Sequence, residues 1–392
     1  MNNKENKHTI GIIGTGRLGI CFALLLDEAG YEVLASDIRK KYIDELQQRR
    51  IKTYEPNVEN LLKKSRIQFS TDTQQLIKKC EILYIMVATP SELNGSYNIS
   101  SVNQVVEDII NCDFDVSGKI VVIGCTTNPG DCQSIQDKLR PFGISVLYNP
   151  EFITQGSIVQ DLQQADIVLI GGESNSIIGK YEKIYFDIQK TKPNIHKMSL
   201  TAAEIVKIGI NCFLTTKISF ANMIGEILSR SNLNNDINIA LEAIGADSRI
   251  GKKYLKYGFG FGGPCLPRDN RSFANYASKV GLEFPLGQIV DKFNYDHGIF
   301  LQNYFIEKNL ENLPFYIKDI SYKPNSDIIE ESQQYLLCLR LLEKGYIVIV
   351  EPNDKISKQI INNLKIKFSK LIRFESKDNL ILRKEKIFEI SL

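Results

Sequence analysis

Short apolar runs alternate with amphipathic stretches through the first half of the chain. Ile10-Gly11-Ile12-Ile13 leads through a helical run over residues 20–28 to a second strand, Tyr31-Glu32-Val33-Leu34-Ala35-Ser36. Further apolar runs fall at residues 82–88, 119–125, 145–148 and 167–171. Runs of this kind, separated by helical stretches, predict a parallel, doubly wound sheet with helices on both faces. From residue 201 the period becomes helical. No proline interrupts residues 202–230, and Ala, Ile, Phe and Leu recur there at three- and four-residue spacing, which predicts one long helix buried on more than one side. The α/β pattern then restarts on a smaller scale: a strand at 315–317, a helix at 331–343, a strand at 346–350, a helix at 355–364 and a strand at 371–374. The pattern divides the chain into residues 1–200, 201–299 and 300–392.

Composition narrows the partners. The chain has 392 residues, 43% hydrophobic and 24% charged, with a formal net charge of +2. That balance gives no reason to invoke nucleic acid or an anionic membrane. The polar start, residues 1–8, lacks the apolar core of a signal peptide, and no apolar run is long enough to span a bilayer, so a cytoplasmic location is expected. The eight cysteines contain no CxxC pair and read as free thiols in a reducing compartment. With only His8, His196 and His297 present, neither a His-based triad nor a metal site is expected.

Two segments carry the chemistry. The first apolar strand runs into Gly14-Thr15-Gly16-Arg17-Leu18-Gly19, a helix follows, and the second strand ends at Asp37. This is the βαβ dinucleotide fingerprint in its required context, a Rossmann-like fold. Its glycines let a pyrophosphate approach a helix N-terminus, and the acid takes a ribose hydroxyl. Asp37 would repel a 2′-phosphate, so NAD is expected rather than NADP, a preference tempered by Arg39, Lys40 and Lys41. The second segment, Gly258-Phe259-Gly260-Phe261-Gly262-Gly263-Pro264-Cys265-Leu266-Pro267-Arg268-Asp269, presents one cysteine at the mouth of a glycine-rich loop. Pro267 suits the first turn of a helix, which would set Cys265 at a positive helix end that favours thiolate, with Asp269 in the first turn. Strand ends near the nucleotide crevice supply Thr89-Pro90, Thr126-Thr127 and Asn149-Pro150-Glu151. Lys207 and Asn211, four apart, share one face of the long helix.

Taken in order, these motifs resemble the UDP-glucose/GDP-mannose dehydrogenase family over nearly the whole chain. The resemblance rests on Gly14 to Gly19, Thr89-Pro90, Asn149-Pro150-Glu151-Phe152, Ala203-Glu204-Ile205-Val206-Lys207 through Asn211 and on to Asn222, Asp247-Ser248-Arg249-Ile250-Gly251, Gly260 to Asp269, and Tyr322-Lys323-Pro324-Asn325. It implies an NAD-binding Rossmann-like domain, a central helical dimerisation domain and a small C-terminal nucleotide-sugar domain. It further implies four-electron oxidation of a nucleotide sugar at C6, with UDP-glucose the first candidate, and GDP-mannose or a UDP-N-acetylhexosamine as alternatives. Cys265 would trap the aldehyde as a thiohemiacetal and carry the thioester; Lys207 and Asn211 would stabilise the oxyanion. Asp269, Thr126 and Glu151 would manage the hydrolytic water. The resemblance places Gly14, Gly16, Arg17, Leu18, Gly19, Asp37, Thr89, Thr126, Gln155 and Arg268 at NAD. Glu151, Phe152, Ile153, Lys207, Asn211, Arg249, Tyr254, Gly262 and Lys323 would contact substrate, Arg249 from the other subunit of a homodimer. Two other readings remain open from the residues alone: a two-electron hydroxyacid dehydrogenase, which needs no Cys265, and a non-catalytic nucleotide-sugar-binding homologue.

Overall fold

The computed structural model describes residues 8–92, 95–154, 156–282, 286–323 and 326–392. The chain forms two compact units, Met1–Lys207 and Ile208–Leu392. Among the described residues no helix is long and apolar enough to cross a membrane.

The first unit is built on an eight-stranded sheet: β1 (Thr9–Ile13), β2 (Glu32–Ser36), β3 (Gln68–Ser70), β4 (Ile82–Ile85), β5 (Ile120–Ile123), β6 (Ser145–Tyr148), β7 (Ile167–Gly172) and β8 (Asn194–Met198), in the order β3-β2-β1-β4-β5-β6-β7-β8. All neighbours are parallel except β6 and β7. The near-continuous apolar strands are explained by burial on both faces. Ile10, Ile12, Tyr84, Val122 and Leu147 enter one core, and their strand neighbours Ile13, Leu83, Ile85, Val121, Ile123 and Val146 enter the other. Helices α1 (Arg17–Glu28), α2 (Asp131–Leu139) and α3 (Asn175–Ile188) contribute Phe22, Ile135 and Tyr185 to those cores. Because the chain leaves β3 and returns on the far side of β1, a crevice opens at the carboxyl ends of β1 and β4, the switch point where such sheets take ligands.

Helix α4 (Leu200–Arg230) passes from the first unit into the second. In the second unit its Ala221 packs with Ile237 and Leu241 of α5 (Ile237–Ala246) and with Leu255. Helices α6 (Leu266–Lys279) and α7 (Leu286–Lys308) pack closely: a Cβ at Gly287 would stand 2.8 Å from the Asn270 carbonyl oxygen. A four-stranded parallel sheet closes the unit, β9 (Phe315–Ile317), β10 (Val348–Val350), β11 (Ile372–Phe374) and β12 (Phe388–Glu389), ordered β11-β10-β9-β12. Helix α8 (Gln333–Glu343) starts two residues later than its apolar pattern suggests. The Ser332 hydroxyl accepts the Tyr335 amide at 3.2 Å and sets the boundary, leaving Glu330 and Glu331 outside the helix.

The two sheets and the long helix between them follow the sequence pattern. The strands that the pattern does not reveal are β3, β8 and β12. Each stands at a sheet edge and is either very short or, like β8, largely exposed, so none of them needs an apolar run.

Candidate active site

The loop after β1 is shaped by close packing. Gly14 has φ +96°, and a Cβ there would lie 2.6 Å from the Met86 carbonyl oxygen; at Gly19 it would lie 2.1 Å from the Gly14 oxygen. Gly16 differs, since a Cβ there would meet nothing within 4 Å. It is the N-cap of α1, which has neither a side-chain cap nor an acid in its first turn. The positive end of the helix is therefore open to an anion, with Arg17 exposed and Leu18 half-buried beside it. At the end of β2 the Asp37 carboxylate accepts the Thr15 amide at 3.1 Å and hydroxyl at 3.2 Å, and pairs with Arg39 through Nε at 2.8 Å and Nη2 at 2.7 Å. Burial opposes ionisation of Asp37, but the bonds from Arg39 and Thr15 outweigh it and hold the carboxyl below its ordinary value. This cradle with its oriented acid fits the pyrophosphate and ribose of a dinucleotide. Thr89 is buried after β4, and Thr126 is half-buried after β5.

Past β6 the chain places Glu151 and Phe152 against Lys207 of α4. The Lys207 ammonium donates to the Glu151 carbonyl at 2.6 Å and lies 4.4 Å from the centre of the Phe152 ring. Behind it the Glu151 carboxylate accepts a hydrogen bond from Tyr185. Burial pushes the Glu151 carboxyl up to about 7, against the pull of Tyr185 and the Lys207 charge. Ile153 packs on the adjoining core. A second acid on α4, Glu204, is fully buried and caps α2: it accepts the Gly130 amide at 2.7 Å, the Cys132 amide at 2.9 Å and the Thr127 hydroxyl at 2.8 Å. Glu204 thereby fixes the loop that carries Thr126.

In the second unit Cys265 is the N-cap of α6, with Pro267 in the first turn. It is exposed, whereas Cys212 nearby is buried, its thiol pushed up to about 12 by burial and by the charge of Asp269. Asp269 is buried. Its amide donates to the Cys265 carbonyl at 2.9 Å, its Oδ2 accepts the Asn211 side-chain amide at 2.6 Å, and Arg268 Nε lies 3.8 Å from its Oδ1. The preceding loop is clamped from several sides. Asn294 bonds both the amide and the carbonyl of Phe261, at 2.9 and 3.0 Å, and Gln333 adds a second donor to that carbonyl at 3.1 Å. Asn222 accepts the Gly258 amide at 3.0 Å, and buried His297 donates through Nε2 to the Gly258 carbonyl at 2.8 Å while its Nδ1 faces Glu226 at 2.6 Å. The glycines answer to this packing: a Cβ at Gly260 would lie 2.0 Å from Asn294 Oδ1, and one at Gly262 2.3 Å from the Glu331 carbonyl oxygen. Gly263 has φ +81°.

The predicted residues thus form two groups. Glu151, Phe152 and Lys207 meet in the first unit, and Asn211, Cys265, Arg268 and Asp269 in the second; Lys207 and Asn211 stand one turn apart on α4. Arg249 is exposed and pairs with Asp247 at 2.7 Å, Tyr254 is exposed with φ +63°, and Lys323 lies half-buried, 5.5 Å from the centre of the Tyr322 ring. Gln155, Pro324 and Asn325 lie outside the described residues. Tyr185, Asn294 and His297 gave no sequence signal as site-supporting groups, and Glu204, though within the long-helix motif, gave none of its capping role, because each acts on a segment remote along the chain.

A glycine cradle at the switch point, with a hydrogen-bonded acid at the end of β2, marks a dinucleotide-binding fold, and an exposed cysteine caps α6. Residues 8–189 match the NAD binding domain, and residues 201–296 the central domain, of the UDP-glucose/GDP-mannose dehydrogenase family. The chain belongs to that family and is an NAD-dependent oxidoreductase. It is 30% identical to the UDP-glucose 6-dehydrogenase YwqF of Bacillus subtilis, over 85% of this chain and 76% of that one, and 27% identical to the UDP-glucose 6-dehydrogenase of Rickettsia bellii, over 88% and 80%. In fold it is similar to a UDP-glucose dehydrogenase from Pyrobaculum islandicum, with a TM-score of 0.85, 24% identity and coverage of 99% and 91%.

Proposed function

We propose that the chain oxidises the C6 hydroxymethyl group of a nucleotide sugar to a carboxylate, converting UDP-glucose to UDP-glucuronate. The observation that carries this reading is an exposed cysteine capping a helix, one turn ahead of a buried aspartate, in a chain that also has an NAD binding domain. UDP-glucose is favoured by the names of the Bacillus and Rickettsia relatives.

NAD, held by the Gly14 to Gly19 loop, Asp37, Thr89, Thr126, Gln155 and Arg268, supplies the oxidising power for both steps when bound. Cys265 sulfur bonds to the C6 aldehyde carbon as a thiohemiacetal and, after the second oxidation, is a thioester. Lys207 and Asn211 donate to the C6 oxygen as it gains negative charge. Water then bonds to C6, the C–S bond breaks, and Cys265 leaves as thiolate. Glu151, or Asp269 assisted by Thr126, takes the water proton. Glu151, with a carboxyl raised to about 7, suits a base working near neutral pH. Phe152, Ile153, Tyr254, Gly262 and Lys323 hold the nucleotide sugar.

The enzyme acts as a cytoplasmic homodimer, with domains at 1–200, 201–299 and 300–392. Dimerisation through α4 is supported by its exposed apolar stripe, Phe213, Phe220, Met223 and Ile227, whose spacing of seven, three and four matches one helix face. Arg249, exposed and paired with Asp247 of its own loop, is the residue assigned to the partner's substrate.

The test is stoichiometric. Limiting UDP-glucose with excess NAD should yield two NADH and a uronate, with GDP-mannose and UDP-N-acetylhexosamines turned over poorly. One NADH with a released aldehyde or ketone would refute the scheme.

A further inference from the structure

The wall behind Glu151 holds more polar groups than a hydrophobic core requires. Tyr181 and Tyr185 stand one turn apart on α3, both buried to within 1% of complete exclusion from solvent. The hydroxyl of each lies 2.5 Å from Asn149 Oδ1, and that of Tyr185 also bonds the Glu151 carboxylate. The Asn149 amide nitrogen is engaged by the Leu169 carbonyl at 2.8 Å, which fixes Oδ1 as the acceptor facing the tyrosines. Asn149 Oδ1 has two lone pairs and can accept from both tyrosines. Tyr185 has one proton and cannot donate to Asn149 and Glu151 at once.

That count gives two fully bonded arrangements. With Glu151 ionised, Tyr185 donates to the carboxylate and Tyr181 to Asn149. With Glu151 protonated, its O–H donates to the Tyr185 oxygen, and the Tyr185 proton turns to the second lone pair of Asn149. Glu151, Tyr185, Asn149 and Tyr181 each keep a hydrogen bond in both arrangements, so the change of protonation leaves none of these four with an unmade bond.

We propose that Tyr185 is a positioning residue, a two-way hydrogen-bond switch backed by Asn149 that lets Glu151 take up and release a proton while its carboxyl stays held in place. This rests on the reading of Glu151 as the hydrolytic base. In that step a water O–H bond breaks, its proton passes to Glu151, the hydroxyl oxygen bonds to the thioester carbon, and the C–S bond breaks to release thiolate. Glu151 then returns the proton to that sulfur or to solvent. The groups acting on Glu151 are Tyr185 from α3 and the Lys207 ammonium from α4; the Glu151 charge in turn holds the phenols of Tyr84 on β4 and of Tyr181 and Tyr185 on α3 above their ordinary value.

Two substitutions should move the Glu151 titration in opposite directions. Tyr185→Phe removes the donor that serves the ionised form and should shift the titration up by roughly one pH unit. Asn149→Leu costs Tyr181 its acceptor in both forms but costs Tyr185 its acceptor only in the protonated one, and so should shift the titration down by a similar amount. Tyr181→Phe disturbs the same wall but leaves Tyr185 both partners, so it should move the titration little. The titration is read as the carboxyl C=O infrared band against pH, assigned by its loss in Glu151→Gln, and then as the acid limb of the pH–rate profile. Shifts of the same sign in Tyr185→Phe and Asn149→Leu, or a Tyr181→Phe shift as large as that of Tyr185→Phe, would overturn the switch. Should Tyr185→Phe fail to fold, the downward shift in Asn149→Leu decides by itself. The infrared reading needs no turnover. A wild-type enzyme that made one NADH per substrate would sink the four-electron scheme while leaving the switch to be judged on its own band.

Discussion

Asn294 offers a direct test of whether the cysteine loop is held by its clamps. Its carboxamide meets both the amide and the carbonyl of Phe261, a residue 3% exposed, at 2.9 and 3.0 Å. In Asn294→Ala the Phe261 amide loses this acceptor in a buried setting, at a cost of roughly 1–3 kcal/mol, and the lost bond to the carbonyl adds about 1 kcal/mol. Gln333 still donates to that carbonyl at 3.1 Å, which limits the second loss. The expected destabilisation is therefore about 2–4 kcal/mol, confined to the transition of the second unit in urea unfolding followed by far-UV circular dichroism. Because the same bonds fix the loop that ends at Cys265, turnover should fall by roughly ten- to a hundredfold from misplacement of the nucleophile. NAD affinity should change little, since all the residues assigned to NAD except Arg268 lie in the other unit. Asn294→Asp sharpens the test: it keeps an acceptor for the Phe261 amide but turns a carboxylate oxygen toward the Phe261 carbonyl, so it should do no better than alanine at neutral pH. Wild-type turnover and an unchanged unfolding midpoint in Asn294→Ala would show that the clamp contributes nothing.

Cys265→Ala should abolish uronate formation while NAD binding, measured by calorimetry, stays near wild type; normal rates would make the cysteine structural. Lys207→Ala should lose about 3 kcal/mol of transition-state stabilisation, a fall in kcat/KM of roughly two orders of magnitude. Glu151, raised to about 7 when folded against an ordinary value of about 4.3, binds its proton more tightly in the native state than in the unfolded chain. Its effect on stability is fully favourable below the unfolded value and declines as pH rises from about 4.3 to 7, by at most about 4 kcal/mol. Glu151→Gln should remove that decline, so its stability relative to wild type should grow across the same range; parallel stability–pH curves would refute the assignment. Phe220→Glu combined with Ile227→Glu should convert a dimer to monomers by light scattering, and an unchanged mass would place any interface elsewhere.

The sequence by itself determined the elements whose signals are local. A βαβ fingerprint is legible because Gly14, Gly16, Gly19 and Asp37 lie within one supersecondary unit, and the long helix α4 because its apolar spacing repeats without a proline. Cys265 at the start of α6 was legible for the same reason: Pro267 and Asp269 mark a helix start within a few residues. The edge strands β3, β8 and β12 escaped, since a short strand with one solvated side has little hydrophobic pattern to read. Tertiary structure alone decided what holds the chemistry in place. Glu204 reaches back more than seventy residues to cap α2, Asn294 clamps Phe261 from another helix, and Tyr185 meets Glu151 and Asn149 only because α3 packs on the sheet beside β6. It also decided what comes close to the glycines of the cysteine loop, where a Cβ at Gly260 would meet Asn294 and one at Gly262 the Glu331 carbonyl. Hydrogen bonds and close contacts between distant segments leave no periodicity in either segment, so they exist as information only once the chain has folded.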